Sequence, residues 1–380
     1  MQHTPISITG LASISPLGSN RNAILKAYLD NKHYFTKREN TWVGELDKNT
    51  LQKIEDLKTE SNKYKPLDNS VLFSILSSRN AIKEANWLTN SNFGVNIGSS
   101  RGATALFENH HEAFLQNNKA ETLASPTTTL GNISSWVAHD LQTSGPEISH
   151  SITCSTALHA LLNGIVWLKS GLTTQFLIGG TEAPLTPFTI AQMQALKIYA
   201  QDLKTEYPCK ALDFNKTKNS MILSEASASL CLESGLQKNR LAQIIGIGYA
   251  TEILQHHVSL SSTGDCFKKS MQMALEQANL DTVDIIVTHT PGTIKGDKSE
   301  YNAIKDTFKK IPFLTNNKWK IGHSLGASGV LSLEMAILML TEQTTFSIPY
   351  YNQDQPKTIH TIMVNAVGFG GNAVSVIIKE

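Results

Sequence analysis

The sequence predicts an α/β protein, a five-layer αβαβα sandwich built from two similar halves. Three observations lead there. First, an order of strand, helix, strand, helix, strand occurs twice. Leu241-Ala-Gln-Ile-Ile-Gly-Ile-Gly-Tyr249 matches the strand that begins at Ile6, and Ala274-Leu-Glu-Gln-Ala278-Asn279-Leu280 echoes Ala81-Ile-Lys-Glu-Ala85-Asn86-Trp87. Likewise, Gly322 to Leu340 echoes the helix after Cys154, and Thr361 to Val367 echoes Phe176 to Gly180. Second, these last two helices are apolar on nearly all sides, so they belong between sheets rather than on a surface. Third, 380 residues with 41% hydrophobic content suit two or three domain-sized units. The expected halves are residues 1–240 and 241–380.

Taken in order, Ile6 to Gly18 reads as a buried strand ending in a turn at Pro16-Leu-Gly18, and Asn22 to Asn31 as a helix. Residues 36–68 are polar and read as a surface excursion, with the charge-rich Glu45 to Lys65 as a solvated face. Ser70 to Trp87 is expected to be a helix, Phe93 to Gly98 a strand, and Thr104 to Leu115 a helix. A polar loop, Ser125 to Gly131, precedes a helix near Ile133 to Leu141. Then come a short strand at Ile148, a sharp turn at Cys154 and a helix in which Leu158, Leu161, Leu162, Ile165, Val166 and Leu168 recur at helical spacing. Lys169 and Gly171 suit its C-terminal cap. The strand Gln175 to Gly180 leads into a loop with Pro184 and Pro187. In the second half a strand, Val283 to Thr288, follows the Ala274 helix. Small residues on the two apolar helices (Ala157, Ala160, Gly164; Gly326, Ala327, Gly329) would let them pack closely.

Composition excludes several classes. The formal net charge is +1, which leaves no electrostatic footprint for nucleic acid or a membrane surface. Cys154, Cys209, Cys231 and Cys266 are widely spaced, with no metal-binding pattern, as in a reduced cytoplasmic protein. Met1-Gln-His-Thr-Pro-Ile is no signal peptide. No apolar run approaches the ~18 residues of a bilayer span, so membrane insertion is not expected.

Cys154 would sit at a helix N-terminus, where the dipole and free N–H groups favour the thiolate. By position alone it is either a nucleophile or a buried structural cysteine. Two histidines occupy the loops of the second half that should face it. His289 follows a strand and begins the run to Glu300; His323 opens the second apolar helix. A histidine at a helix N-terminus tends to stay neutral, and a neutral imidazole can donate to a developing oxyanion. Each could equally be an unrelated, satisfied histidine. The pairs His110-His111 and His256-His257 are left as surface or core residues.

The cysteine elbow, the run His289 to Glu300, Lys318 with Gly322-His323 and Gly326-Ala327, and Asn365-Ala-Val-Gly368-Phe369-Gly370-Gly371-Asn372 occur in the order seen in β-ketoacyl-ACP synthases of the elongating type. Thr9-Gly10 and Ser15-Pro16-Leu-Gly18 are similar to that family too. The resemblance covers nearly the whole chain, and the ordered set of motifs is specific. It implies a thiolase-like fold, a homodimer or a related heterodimer, and acyl carrier protein with acyl and malonyl thioesters as partners. It also implies a Cys-His-His site. Cys154 would carry the acyl chain, His289 and His323 would stabilise the enolate formed as CO2 leaves, and Lys318 would orient the site or tune its charge. The backbone N–H groups of Cys154 and Phe369 would form a second oxyanion hole. Phe369, flanked by Gly368 and Gly370, matches the family's gate. Glu300 and Asp297 would support the His289 loop, and Thr293 or Thr290 would hold the phosphopantetheine arm. No cofactor of its own is implied; phosphopantetheine belongs to the carrier.

The chain departs from the family at Ser220-Met-Ile-Leu-Ser224-Glu225-Ala226-Ser-Ala228, where four glycines and a phenylalanine are replaced, and at Pro291, where a threonine is usual. The aromatic-rich dimer loop becomes Thr127-Thr-Thr-Leu. These changes point to a specialised paralogue in polyketide, polyene or pigment synthesis. The alternatives are a non-catalytic partner subunit like a chain-length factor, or an acyltransferase that does not decarboxylate. A thiolase would need a second cysteine near the C-terminus, and none follows Cys266.

Overall fold

The structure is a computed structural model that describes residues 4–88, 91–130, 132–253 and 260–380. The first half contains β1 (Ile6–Ile14), α1 (Arg21–Leu29), β2 (Thr36–Arg38), β3 (Thr41–Val43), α2 (Lys48–Glu60), α3 (Asn69–Ala85) and β4 (Gly94–Gly98). It continues with α4 (Thr104–Asn117), α5 (Ala124–Thr128), α6 (Asn132–Leu141), β5 (Glu147–Ile148), α7 (Thr156–Lys169), β6 (Gln175–Glu182), α8 (Pro187–Ala195) and β7 (Ala226–Ser234). The second contains β8 (Ala242–Thr251), α9 (Asp265–Ala278), β9 (Ile285–Val287), α10 (Ile294–Thr307), β10 (Phe313–Thr315), α11 (Lys318–Ile321), α12 (Ser328–Glu342), β11 (Thr361–Gly368) and β12 (Asn372–Lys379). Single 3-10 turns, Thr153–Ser155 and Leu325–Ala327, precede α7 and α12.

The strand order is β10-β9-β11-β12-β8-β1-β7-β6-β4-β5. Read outward from the middle, both halves give the same sequence of roles: β1, β7, β6, β4, β5 on one side and β8, β12, β11, β9, β10 on the other. The two sets meet where Ile6–Ile8 pairs antiparallel with Ala242–Ile244. Helices α7 and α12 lie between the two five-strand sets, with α3 outside the first and α9 outside the second, giving the five expected layers. The sequence repeat has a physical basis here. Gly10 on β1 lies against α3, where a Cβ would fall 2.3 Å from the Ala81 carbonyl; Gly246 on β8 lies against α9, 2.2 Å from the Ala274 carbonyl. Asn86 and Asn279 then close these helices in the left-handed region, with φ of 56° and 53°.

Helix α12 is buried from Ser328 to Leu340. Leu325–Glu342 is long and apolar enough by composition to cross a bilayer, contrary to the reading that no run approaches that length, but 89% of it lies buried inside the protein. Close packing of the central helices is seen at Gly329, where a Cβ would lie 2.7 Å from Leu158. Gly164, expected on the same seam, instead faces Ile178 and Leu232 of the sheet.

Three loop readings are corrected. Residues 36–68 are not only a surface excursion: they form β2, β3 and α2, and Val43, Leu46, Ile54 and Leu57 are buried. Ser125 to Thr128 lies in α5, while Gly131 falls outside the described residues, as do Met1 to His3 and the pair His256-His257. Pro187 does not extend a loop; it begins α8 just after the capping residue Thr186, where proline's missing N–H costs nothing.

Because the Ala81 carbonyl is fixed in a helix and cannot yield, Gly10→Ala is expected to destabilise the fold by about 1–3 kcal/mol. A lowered urea midpoint with an unchanged slope is the expected result.

Candidate active site

The turn before α7 is held in an uncommon conformation. Thr153 has φ of 47°, in the left-handed region that β-branched residues avoid. Its Oγ1 donates to the Phe369 carbonyl at 3.3 Å, and its carbonyl accepts from Thr156 Oγ1 at 2.6 Å. The terminal loop approaches so closely that a Cβ on Gly368 would lie 1.9 Å from Thr153 Oγ1 and 3.3 Å from the Cys154 nitrogen. Gly370 turns the chain with φ of 107°, and Phe369 stands 41% exposed beside the cysteine turn. Cys154 itself is buried, in an apolar cluster with Val43, Leu185, Met193, Tyr199, Met221, Leu223 and Leu325. Met221 and Leu223 come from the segment whose sequence departs from the family pattern.

The second half supplies the histidines. The Glu300 carboxylate, on α10, accepts from the His289 and Thr290 N–H groups at 3.0 and 2.8 Å, and from Asn365 Nδ2 at 3.1 Å. Asp297 lies one turn earlier on the same helix and fixes the loop from below. It accepts from the N–H groups of Gly292 and Leu212, both at 3.0 Å, and from Lys216 Nζ at 2.7 Å. His323 is pinned by its backbone: its N–H donates to the Ile222 carbonyl at 2.7 Å, and its carbonyl accepts from Ser224 at 3.1 Å. The His289 and His323 rings stand edge to face with centroids 5.3 Å apart. Both Nδ1 atoms and the Lys318 ammonium are buried without a hydrogen-bond partner among the described residues. Such groups are costly in a core unless something uses them.

Charge follows burial. Burial holds His289 well below the usual histidine range, and Lys318 and His323 add to this. His323 is pushed down to about 3 by burial and the Lys318 charge. Lys318 falls to about 8 by burial, against the attraction of Glu300. Glu300 rises to about 7 by burial, against its backbone N–H bonds. Burial pushes the Cys154 thiol up to about 12; Glu182 adds to the rise and Lys318 opposes it. Burial thus works against the thiolate that the helix end was expected to favour. The Lys318 ammonium therefore acts on the thiol and on both imidazoles, and the 3-10 turns that open α7 and α12 pack on one another.

The candidate phosphopantetheine residues are otherwise engaged. The Thr290 hydroxyl is buried and bonds Thr288 Oγ1 at 2.6 Å and Asn316 Nδ2 at 3.1 Å. Thr293 is half-buried and caps α10 through the Gly296 N–H at 3.2 Å. His110 lies on α4, 3.5 Å from Glu121. Sequence reasoning missed Glu182, a fully buried acid at the end of β6. Its one signal is an acid closing a strand with an apolar centre, two residues after Gly179-Gly180.

The described site can hold a thioester on a cysteine and offer two neutral imidazoles and one ammonium to a developing negative charge. The Beta-ketoacyl synthase N-terminal domain model matches residues 3–238, and the C-terminal domain model matches residues 241–350. A 3-oxoacyl-[acyl-carrier-protein] synthase 1 from Buchnera aphidicola subsp. Baizongia pistaciae is 27% identical over 99% of both chains. Among solved structures, a type II PKS acyl-carrier protein in complex with its ketosynthase bound to the hexaketide superposes with a TM-score of 0.86, at 20% identity over all of both chains. A ketosynthase in complex with its chain length factor from Xenorhabdus doucetiae gives 0.82, at 20% identity over 100% of this chain and 98% of that one.

Because both histidines are held below the unfolded value of 6.5, each stays neutral as the pH falls through 6.5. The stability linked to their neutral form is full above that pH and is lost progressively below it. Histidine-labelled 15N spectra should include two neutral imidazoles, from His289 and His323, that do not titrate between pH 5.5 and 8. Asparagine substitution at position 289 or 323 should remove one each.

Proposed function

The chain belongs to the β-ketoacyl synthase family, and from that premise we propose that it condenses an acyl chain on Cys154 with malonyl-ACP. The products are 3-oxoacyl-ACP, CO2 and free acyl carrier protein. The observation that carries this reading is the pair of buried, edge-to-face imidazoles whose Nδ1 atoms, like the Lys318 ammonium, have no hydrogen-bond partner among the described residues. Cys154 attacks the acyl-ACP thioester and releases the carrier. Malonyl-ACP then enters, and the C–C bond to its carboxylate breaks. The electron pair forms an enolate whose oxygen accepts from His289 and His323. Donors placed where charge develops are each worth roughly 3 kcal/mol in comparable sites. The carbanion attacks the acyl carbonyl, whose oxygen is taken by the N–H groups of Cys154 and Phe369, and the thiol leaves. Lys318 supplies the balancing positive charge, and Glu300 and Asp297 hold the loop that aims His289. Phe369 gates the thiol. Thr293, at the rim of the site, is the stronger candidate for the phosphopantetheine arm, since the Thr290 hydroxyl is buried among protein partners.

The second subunit is a copy of this chain or a related ketosynthase subunit. Support comes from α4, which has no buried residue and exposes Phe107, Phe114 and Leu115. The solved Xenorhabdus ketosynthase is paired with a chain length factor, so a non-catalytic partner role is the second reading. Retention of Cys154, His289, His323 and Lys318 favours the enzyme. Met221 and Leu223 beside the thiol favour a specialised acyl pocket, and hence a dedicated polyketide or polyene role in the cytoplasm.

With acyl-ACP, intact mass spectrometry should show one acyl group on Cys154, and Cys154→Ala should abolish it. His289→Ala and His323→Ala should each keep acylation but slow CO2 release from malonyl-ACP by about 10²–10³-fold. Absence of acylation in the wild type would favour the partner-subunit reading; acylation without CO2 release would favour a plain acyltransferase. Equal elongation of saturated primers of many lengths would contradict the specialised role.

A further inference from the structure

Glu182 closes β6 and is completely buried. Its Oε1 accepts two backbone N–H groups from opposite halves of the molecule: Ser100, in the loop after β4, and Gly326 at 3.0 Å, in the turn that opens α12. Position 326 admits only glycine, because a Cβ there would lie 2.6 Å from Oε1 and 2.7 Å from the Ser100 nitrogen. Gly326 lies three residues after His323, and its turn packs against the turn that carries Cys154. The other oxygen, Oε2, is buried with no hydrogen-bond partner among the described residues, although the Ser99 side chain lies next to the carboxyl and favours its charged form. The charged and titratable groups that face the carboxyl are Arg101, from the loop after β4, and the Cys154 thiol, which Lys318 approaches from the second half.

We propose that Glu182 is a positioning residue that ties the His323 turn of one half to the Ser100 loop of the other and places a negative charge next to the turn that carries Cys154. A single carboxylate oxygen taking two backbone donors from separate loops fixes their separation. Its negative charge, close to the thiol and out of water, disfavours the thiolate. Burial raises the Glu182 carboxyl to about 7, so the neutral acid and the anion are both accessible near neutral pH. Protonation of Glu182 removes its share of the opposition to the thiolate and leaves the larger share, from burial, in place, while the clamp, made by an acceptor oxygen, persists in both states. Glu182 does not touch the reacting atoms in this account. It acts through Gly326 and through the field at Cys154.

The inference concerns the site whose condensing role is proposed above, but its test needs no substrate. Glutamine keeps an oxygen for both N–H groups and removes the charge; alanine removes both. In the full-length chain, the rate of Cys154 alkylation by iodoacetamide, followed by mass spectrometry against pH, should move to lower pH in Glu182→Gln. The gain should be about three- to tenfold at pH 8. Hydrogen exchange in the peptide spanning residues 322–328 should stay slow in Glu182→Gln and quicken at least about tenfold in Glu182→Ala. An unmoved alkylation profile in Glu182→Gln overturns the proposal. So does equal protection of that peptide in Glu182→Ala and wild type. Should the alanine variant fail to fold, the glutamine variant decides alone. A chain that never releases CO2 from malonyl-ACP would defeat the condensing reading and leave this result standing.

Discussion

Backbone meets backbone where the two central helices begin, and the rest of the structure depends on that approach. The turns Thr153–Ser155 and Leu325–Ala327 pack together in the core. Each carries a non-glycine residue at positive φ, Thr153 at 47° and Leu325 at 41°. The middle residues of the two turns, Cys154 and Gly326, occupy equivalent places in the two halves. One holds the thiol; the other has no side chain at all, which makes room for the Glu182 carboxylate. A side chain at Gly180 would strike the Gly326 carbonyl at 2.7 Å, and one at Gly368 would strike Thr153. A duplicated fold has thus become asymmetric at its centre, with a thiol on one side and a space for its surroundings on the other.

Burial sets the chemistry of the site more than any single charge does. It drives the imidazoles neutral, lowers the lysine, and raises both carboxyls and the thiol. In the proposed reaction, neutral imidazoles can donate to the enolate without attracting the malonyl carboxylate that must depart. A thiol raised by burial is the cost of the same dry site, and Lys318 opposes that cost at Cys154 while strengthening the effect at the histidines. The one ammonium therefore links the acylation and decarboxylation halves of the proposed reaction.

Much of this was legible in the chain. The two helices apolar all round, the echo of Ala81/Ala85 in Ala274/Ala278 and the left-handed Asn86 and Asn279 all follow from local pattern and turn chemistry. The cysteine and histidine motifs stand at helix starts and strand ends, where spacing places them. What stayed hidden depends on distant partners. Val43, Leu46, Ile54 and Leu57 are buried among so many charges that residues 36–68 read as surface. Glu182 accepts from two backbone groups in distant loops, which no side-chain motif reveals. The direction of the thiol shift required knowing how deeply Cys154 is covered, and the engagement of Thr290 required seeing Thr288 and Asn316 around it.

The central claim is that a thiol from the first half and two imidazoles from the second serve one reacting centre. An experimental structure of the chain acylated on Cys154 tests it most directly. The thioester oxygen should lie roughly 3 Å from the N–H groups of Cys154 and Phe369, with the His289 and His323 rings lining the space next to the thioester carbon. Imidazoles that open into a different cavity from the acyl group would contradict it.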